Sequence, residues 1–230
     1  MDYNLSKRRK NMRYSAVLFD LDGTLLDTID DLASALNAAR QMNGLPPQDL
    51  KLVKSFIGNG KKKLIERSLA DDHGTYDEAF ADKLMSDNIQ YYNSHCMVQT
   101  KPYNGIVDLI RRLKSDGILI CCITNKDDEP ARGLIEHFFP GLFDYVAGSK
   151  PGVAVKPDAE PVDRCLNKIG ITPDRCVYVG DSEVDIKTAQ NSGMDSISVC
   201  WGYKTREFLE QSGAMRICSN PLDLRRYIYD

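Results

Sequence analysis

Short apolar runs alternate with longer stretches of helical spacing along most of this 230-residue chain. Ala16–Phe19, Ile118–Ile123, Tyr145–Ala147, Cys176–Val179 and Ile197–Val199 have the length and apolar character of buried strands. Between them, Ile106, Leu109, Ile110 and Leu113 recur on one helical face before Gly117. Pro130 suits the first turn of a helix carrying Leu134, Ile135 and Phe138. Val162, Cys165, Leu166 and Ile169 form a stripe that Gly170 ends, and Ile186 and Ala189 another that stops at Gly193. This alternation predicts an α/β fold whose central sheet is parallel, with helices on both faces.

Residues 28–101 break the alternation and read as helices only. Thr28 and Asp31 have the spacing of a capping box, and Leu32, Leu36, Ala39 and Met42 follow as an apolar stripe. Pro46-Pro47 interrupts. Leu64, Ile65 and Leu69 mark a further helix, and Phe80, Leu84, Ile89 and Tyr92 another. The pattern therefore predicts a core of residues 1–27 and 102–230, with an all-helical domain of residues 28–101 inserted after the first strand as a cap. Hinges fall near Asp27-Thr28 and Lys101-Pro102, and the first eleven residues, which include Lys7-Arg8-Arg9-Lys10, read as a flexible extension.

Composition narrows the function. A formal net charge of −3 argues against nucleic acid as a partner. No apolar stretch reaches the ~20 residues of a membrane helix, and no signal peptide is visible, so a cytoplasmic location is expected. The seven cysteines include the adjacent pair Cys121-Cys122 inside an apolar run and show no zinc spacing, which favours reduced core thiols. His73, His95 and His137 are scattered and form no ligand set.

Ligands of parallel sheets bind beyond the carboxyl ends of the strands. Asp20-Leu21-Asp22-Gly23-Thr24 follows the first strand, Thr124-Asn125-Lys126 the second, and Gly180-Asp181-Ser182-Glu183-Val184-Asp185 the fourth, with Lys156 before the helix that enters that strand. Each has a plain reading: Asp-Gly as a turn, Thr124 or Asp181 as a helix cap, Lys156 as a solvated lysine. Together they suit phosphoryl transfer. An attacking carboxylate is repelled by a dianionic phosphate monoester, and a cation held by oxygen ligands removes that repulsion. Asp20, Asp181 and the Asp22 backbone carbonyl offer such ligands, Lys156 and Thr124 offer a charge and a hydroxyl to the phosphoryl oxygens, and Asp22 offers a second carboxylate for proton transfer.

With these motifs the chain resembles the haloacid dehalogenase superfamily of phosphotransferases over nearly its whole length. Asp20–Leu26 resembles the nucleophile motif, Ile123-Thr124-Asn125-Lys126 the second, Lys156-Pro157-Asp158 the third, and residues 180–185 the fourth. Ile57-Gly58-Asn59-Gly60, Pro102-Tyr103-Asn104-Gly105 and Trp201-Gly202-Tyr203 make it most similar to the phosphoglycolate phosphatase group. The resemblance implies a Rossmann-like three-layer core with an α-helical cap, and Mg2+-dependent hydrolysis of a small phosphomonoester, above all 2-phosphoglycolate, through an aspartyl-phosphate. It implies that Asp20 is the nucleophile and Asp22 the general acid and base. Thr124, Asn125 and Lys156 would bind phosphate, and Asp20, the Asp22 carbonyl and Asp181 the metal, with Asp185 acting indirectly. The backbone of Gly58, Asn59 and Gly60, with Lys61 and Arg67, is expected to close over the substrate's leaving group. A pyrophosphatase, nucleotidase, sugar-phosphate phosphatase or mutase of the same fold stays open, as do a non-catalytic phosphate-binding module and a monomeric or homodimeric state. Ala159 departs from the Lys-Pro-x-Pro continuation common among related chains.

Overall fold

A computed structural model describes residues 13–72 and 74–229. The expected extension of residues 1–11 lies outside the described residues. In chain order the elements are β1 (Ala16–Phe19), β2 (Leu26–Asp27), α1 (Ile29–Met42), α2 (Leu50–Phe56), α3 (Gly60–Asp71), α4 (Glu78–His95), β3 (Lys101–Pro102), α5 (Ile106–Ser115) and β4 (Leu119–Asp127). They continue with α6 (Asp128–Phe138), β5 (Tyr145–Ser149), α7 (Glu160–Ile169), β6 (Cys176–Gly180), α8 (Glu183–Asn191), β7 (Asp195–Val199), α9 (Arg206–Gln211), β8 (Ile217–Cys218) and α10 (Pro221–Tyr229). The main sheet runs β5-β4-β1-β6-β7-β8, while β2 and β3 form a separate pair. Every pairing in the main sheet is parallel. The chain divides into two units, one holding residues 13–26 and 102–229, the other 27–101.

In the first unit the sheet is the middle of three layers. All four β1 side chains are fully buried. Because strand side chains alternate, Val17 and Phe19 face a core built with α5, α6 and α10, while Ala16 and Leu18 face one built with α7 and α8. The helical stripes lie where their spacing put them: Ile106, Leu109, Ile110 and Leu113 are all buried, and Gly170 ends α7 in the left-handed conformation.

Strand β4 differs from its predicted span. It continues past Ile123 to Asp127, and its register against β5 shifts between Ile123 and Asp127. The inserted length is Thr124-Asn125-Lys126, a bulge of the kind that re-aims side chains at a strand end. Gly148 on β5 makes it possible, since a Cβ there would meet Lys126 O and Asp128 Cα at 2.5 Å. Strand β8 and helices α2, α9 and α10 have no counterpart in the sequence reading.

The second unit is a helical assembly around Leu36, Val53, Phe56, Leu64, Ile65, Leu69 and Leu84. Two expectations are corrected here. Met42 is 62% exposed, since the buried stripe of α1 runs through Ala33, Leu36 and Arg40 with Ala35 and Ala39 beside it. The Thr28–Asp31 capping box does not form: Thr28 makes no side-chain cap hydrogen bond, and the Asp31 carboxylate accepts from the backbone N–H groups of Gln99 and Thr100 and from Thr100 Oγ1, at 2.7–3.1 Å. The carboxylate thus ties the start of α1 to the returning chain of the same unit.

The largest fully buried side chain of this unit is Arg40. Its guanidinium pairs with Asp72 at 2.7 and 3.0 Å and donates to Ser68 Oγ and Pro46 O. Removing one partner of a buried pair leaves the other charge uncompensated, at a cost of about 3–5 kcal/mol. We expect Arg40→Met to destabilise the chain by about that amount in urea unfolding, and a loss below about 1 kcal/mol, the level of a surface pair, would contradict this.

Candidate active site

The carboxyl ends of β1, β4 and β6 are adjacent because those strands are neighbours in the sheet. Chain leaving β1 is held by the Asp20 N–H donating to Val179 O at 2.9 Å, and then turns back on itself through Leu25 and Leu26 N–H bonds to Leu21 O. Gly23 is needed in that turn. Its φ is +84°, and a Cβ there would lie 2.4 Å from Asp181 Oδ2. The turn therefore sets the β1 carboxylates against those beyond β6.

One carboxylate oxygen from each of Asp20, Asp181 and Asp185 falls within 4.8 Å of the others. Lys156 bridges two of them: its buried ammonium lies 2.8 Å from Asp20 Oδ1 and 2.7 Å from Asp185 Oδ1. It also sits 5.5 Å from the centre of the Tyr178 ring, whose hydroxyl donates to Ile123 O at 2.6 Å. Asp185 Oδ2 accepts from Ser182 N–H and Oγ at the start of α8. Both Asp185 oxygens are thus engaged within the protein. Asp181 is not a helix cap, since Ser182 holds that position. Its Oδ2 accepts from Tyr203 N–H at 2.7 Å and its Oδ1 from Thr24 Oγ1 at 3.3 Å. Trp201 Nε1 donates to Thr24 O at 3.1 Å, so the Trp201-Gly202-Tyr203 segment braces both.

Burial raises Asp20 to about 6, against the pull of the Lys156 ammonium. Burial likewise holds Asp181 well above the usual carboxylate range, and the Asp185 and Asp20 charges push it further. Burial alone would lower Lys156, yet Asp185 and Asp20 raise it well above an ordinary lysine. These shifts describe carboxylates short of positive charge. Asp20 Oδ1 is buried and, although close to Lys156, lies outside hydrogen-bonding geometry. Hard oxygen donors at this spacing, one of them without a hydrogen bond, fit a divalent cation.

The remaining expected residues divide into two groups. Thr124 is buried, and its Oγ1 accepts from Lys126 N–H at 3.2 Å. The Asn125 amide donates to Lys156 O at 3.0 Å and links the end of β4 to the loop before α7. Asp22 stands beside Lys126, whose Nζ lies 3.0 and 3.3 Å from its two oxygens. Gly58, Asn59, Gly60 and Lys61 belong to the helical unit, where Arg67 holds their loop by donating to Phe56 O and Asn59 Oδ1, each at 2.7 Å. Lys61 Nζ lies 5.7 Å from the centre of the Tyr92 ring. Sequence reasoning gave no role to Thr24, Tyr178 or Lys126. For Lys126 a signal existed, its place in the second motif two residues after Thr124.

Comparison with known proteins agrees with this fold. The family described as haloacid dehalogenase-like hydrolase matches residues 17–199. A phosphoglycolate phosphatase of Chromobacterium violaceum is 36% identical over 192 residues, covering 82% of this chain and 86% of that protein. An N-acetylmuramic acid 6-phosphate phosphatase of Pseudomonas aeruginosa is 30% identical over 200 residues, covering 84% of this chain and 85% of that one. A solved structure from Lactobacillus delbrueckii subsp. bulgaricus, provisionally described as a phosphoglycolate phosphatase, superposes with a TM-score of 0.91 at 35% identity, covering 95% of this chain and 99% of that one. With a parallel sheet carrying acidic motifs at two strand ends, and relatives of this similarity along most of its length, the chain belongs to the haloacid dehalogenase-like hydrolase family, as a phosphoglycolate phosphatase-like member.

Proposed function

We propose that this protein is a Mg2+-dependent phosphatase that cleaves a small phosphomonoester, with 2-phosphoglycolate as the leading substrate. The observation that carries the reading is the Lys156 ammonium bridging Asp20 and Asp185 next to Asp181. Such a cluster supplies a buried nucleophile together with the positive charge that a phosphoryl group needs.

In this reading Asp20 Oδ attacks phosphorus, the bond to the ester oxygen breaks, and its electron pair leaves with that oxygen. Asp22 gives the departing alkoxide a proton, so the alcohol leaves neutral. Water then attacks the aspartyl-phosphate while Asp22 takes its proton, the phosphorus–Asp20 bond breaks, and the free carboxylate and inorganic phosphate result. Lys156 and the Thr124 hydroxyl hold the phosphoryl oxygens. Because the Asn125 amide is turned to Lys156 O, its phosphate contact falls to its backbone N–H. Asp20, Asp181 and the Asp22 carbonyl would hold the magnesium ion, which neutralises charge between nucleophile and phosphate. Asp185 acts through Lys156 and the start of α8. The helical unit takes the part of the cap, with Gly58–Lys61 selecting the leaving group. A small phosphorylated metabolite is the only partner this chemistry requires, in a monomer or a homodimer. Cytoplasmic residence fits the seven free thiols.

The choice of 2-phosphoglycolate rests on relatives such as the Chromobacterium violaceum enzyme. The Pseudomonas aeruginosa relative, named for a sugar 6-phosphate, supports a sugar-phosphate phosphatase as the second reading. Ranking kcat/KM over 2-phosphoglycolate, hexose phosphates, N-acetylmuramic acid 6-phosphate, nucleotides and pyrophosphate decides between them. We expect 2-phosphoglycolate to lead by at least about tenfold, and a sugar phosphate in first place would contradict the assignment.

Asp20→Asn should lower phosphate release by at least about a thousandfold, roughly 4 kcal/mol of barrier, while circular dichroism stays unchanged. Residual activity above about 1% of the original rate would remove Asp20 as nucleophile. Cation binding is testable without turnover. Saturating Mg2+ should raise the unfolding temperature, by the mass action of a ligand that prefers the folded state. Asp181→Asn should lose at least half of that rise. An equal rise in both proteins would contradict the ligand set.

A further inference from the structure

Lys126 is the one buried lysine of the site that the phosphoryl chemistry does not use. It is 7% exposed, and its ammonium lies 3.0 and 3.3 Å from the two Asp22 oxygens. The fold goes to some length to place it there. The register shift in β4 inserts Thr124-Asn125-Lys126 opposite a single β5 residue, Gly148, between Ala147 and Ser149. Gly148 has no room for a Cβ because Lys126 O and Asp128 N and Cα already crowd the position, at 2.5–2.7 Å. The Gly148 N–H in turn donates to Asp128 Oδ1 at 3.0 Å, at the first residue of α6. Bulge, glycine and aspartate together aim the Lys126 side chain across the strand ends toward the β1 turn.

The two lysines divide three of the four acids between them. Lys156 contacts Asp20 and Asp185, whereas Lys126 contacts Asp22. A carboxylate that must deliver a proton to one oxygen works only within hydrogen-bond reach of it, and an aspartate on a turn has rotamers that miss. A buried cation that spans both carboxylate oxygens restricts that choice.

We propose that Lys126 is a positioning residue for Asp22, holding its carboxylate where the leaving alcohol departs. This rests on the acid role given to Asp22 above. Protonation matters when the departing group is a poor one, an alkoxide, and matters little for p-nitrophenolate, which leaves as the anion. Lys126 is therefore tied to a class of substrate: esters of ordinary alcohols, whose cleavage depends on a well-placed proton donor. Its effect is separable from binding of the phosphoryl group, which every ester presents alike.

The test compares the best alkyl phosphate of the substrate panel with p-nitrophenyl phosphate, in the wild type, Lys126→Met, Asp22→Ala and the double variant. Lys126→Met keeps an unbranched stem and removes the charge. In this variant we expect the single-turnover release of alcohol from the alkyl ester, the step in which Asp22 acts as acid, to slow about tenfold to a hundredfold with half-saturation nearly unchanged. Release of p-nitrophenolate in the same step should slow less than about threefold; the later attack of water is common to both esters and is not read by this step. In the Asp22→Ala background Lys126→Met should cost less than about twofold more, because a group that acts through Asp22 has nothing left to position. Equal losses on both esters in the alcohol-releasing step, or losses that multiply there in the double variant, would assign Lys126 to the fold or to phosphate binding and overturn the proposal. If Asp22→Ala itself fails to separate the esters, the acid role of Asp22 falls, and the positioning role with it. Phosphate release by the wild type from both esters shows in either case that the phosphatase reading stands apart from this outcome.

Discussion

The Lys156 ammonium, buried between Asp20 and Asp185, is the interaction on which the rest of the site depends. Three carboxylates gathered at the end of a parallel sheet repel one another, and burial raises the cost. Lys156 offsets part of that cost and leaves the cluster still short of positive charge, as the upward shifts of Asp20 and Asp181 record. A site in that state is suited to a divalent cation and to a phosphoryl group arriving together. Stability is given up locally for function, and the apolar layers on both faces of β1 supply it elsewhere.

Sheet order makes the gathering possible. With β1 between β4 and β6, residues distant in sequence end at one edge: Asp20 after β1, Thr124 in the bulge of β4, Asp181 just past the end of β6. The backbone at that edge is closely fitted. Asp181 Oδ2 occupies the space a side chain at position 23 would need, and Lys126 O the space of one at 148. Glycine at these two positions is a steric requirement of the site.

Much of this was legible in the sequence because the signals were long or dense. Strands buried on both faces carry continuous apolar runs, and amphipathic α5 and α7 carry full stripes, so the core layers were readable. The acids of the β1 and β6 ends were readable because each follows such a run. What escaped depends on tertiary contacts. β8 has two residues, too few for periodicity to register. Asp31 has capping-box spacing with Thr28, but the competing N–H groups of Gln99 and Thr100 lie 68 and 69 residues away. Met42 continues the helical spacing of α1 and is nevertheless exposed, because the polar Arg40 takes the buried position. Lys126 was visible as a residue of the second motif, yet its partner became evident only with the bulge, which is a property of two paired strands and of Gly148.

The most direct test of the central claim, that the buried and cation-poor Asp20 is the atom that takes the phosphoryl group, is capture of the acyl phosphate. Protein mixed with saturating substrate is acid-quenched during turnover, reduced with borohydride and digested for peptide mass spectrometry. An aspartyl-phosphate is converted to homoserine, so the peptide spanning residues 16–40 is predicted to carry homoserine at position 20, and only in samples given substrate. Continued release of phosphate with unmodified Asp20, or with homoserine at another aspartate, would contradict it.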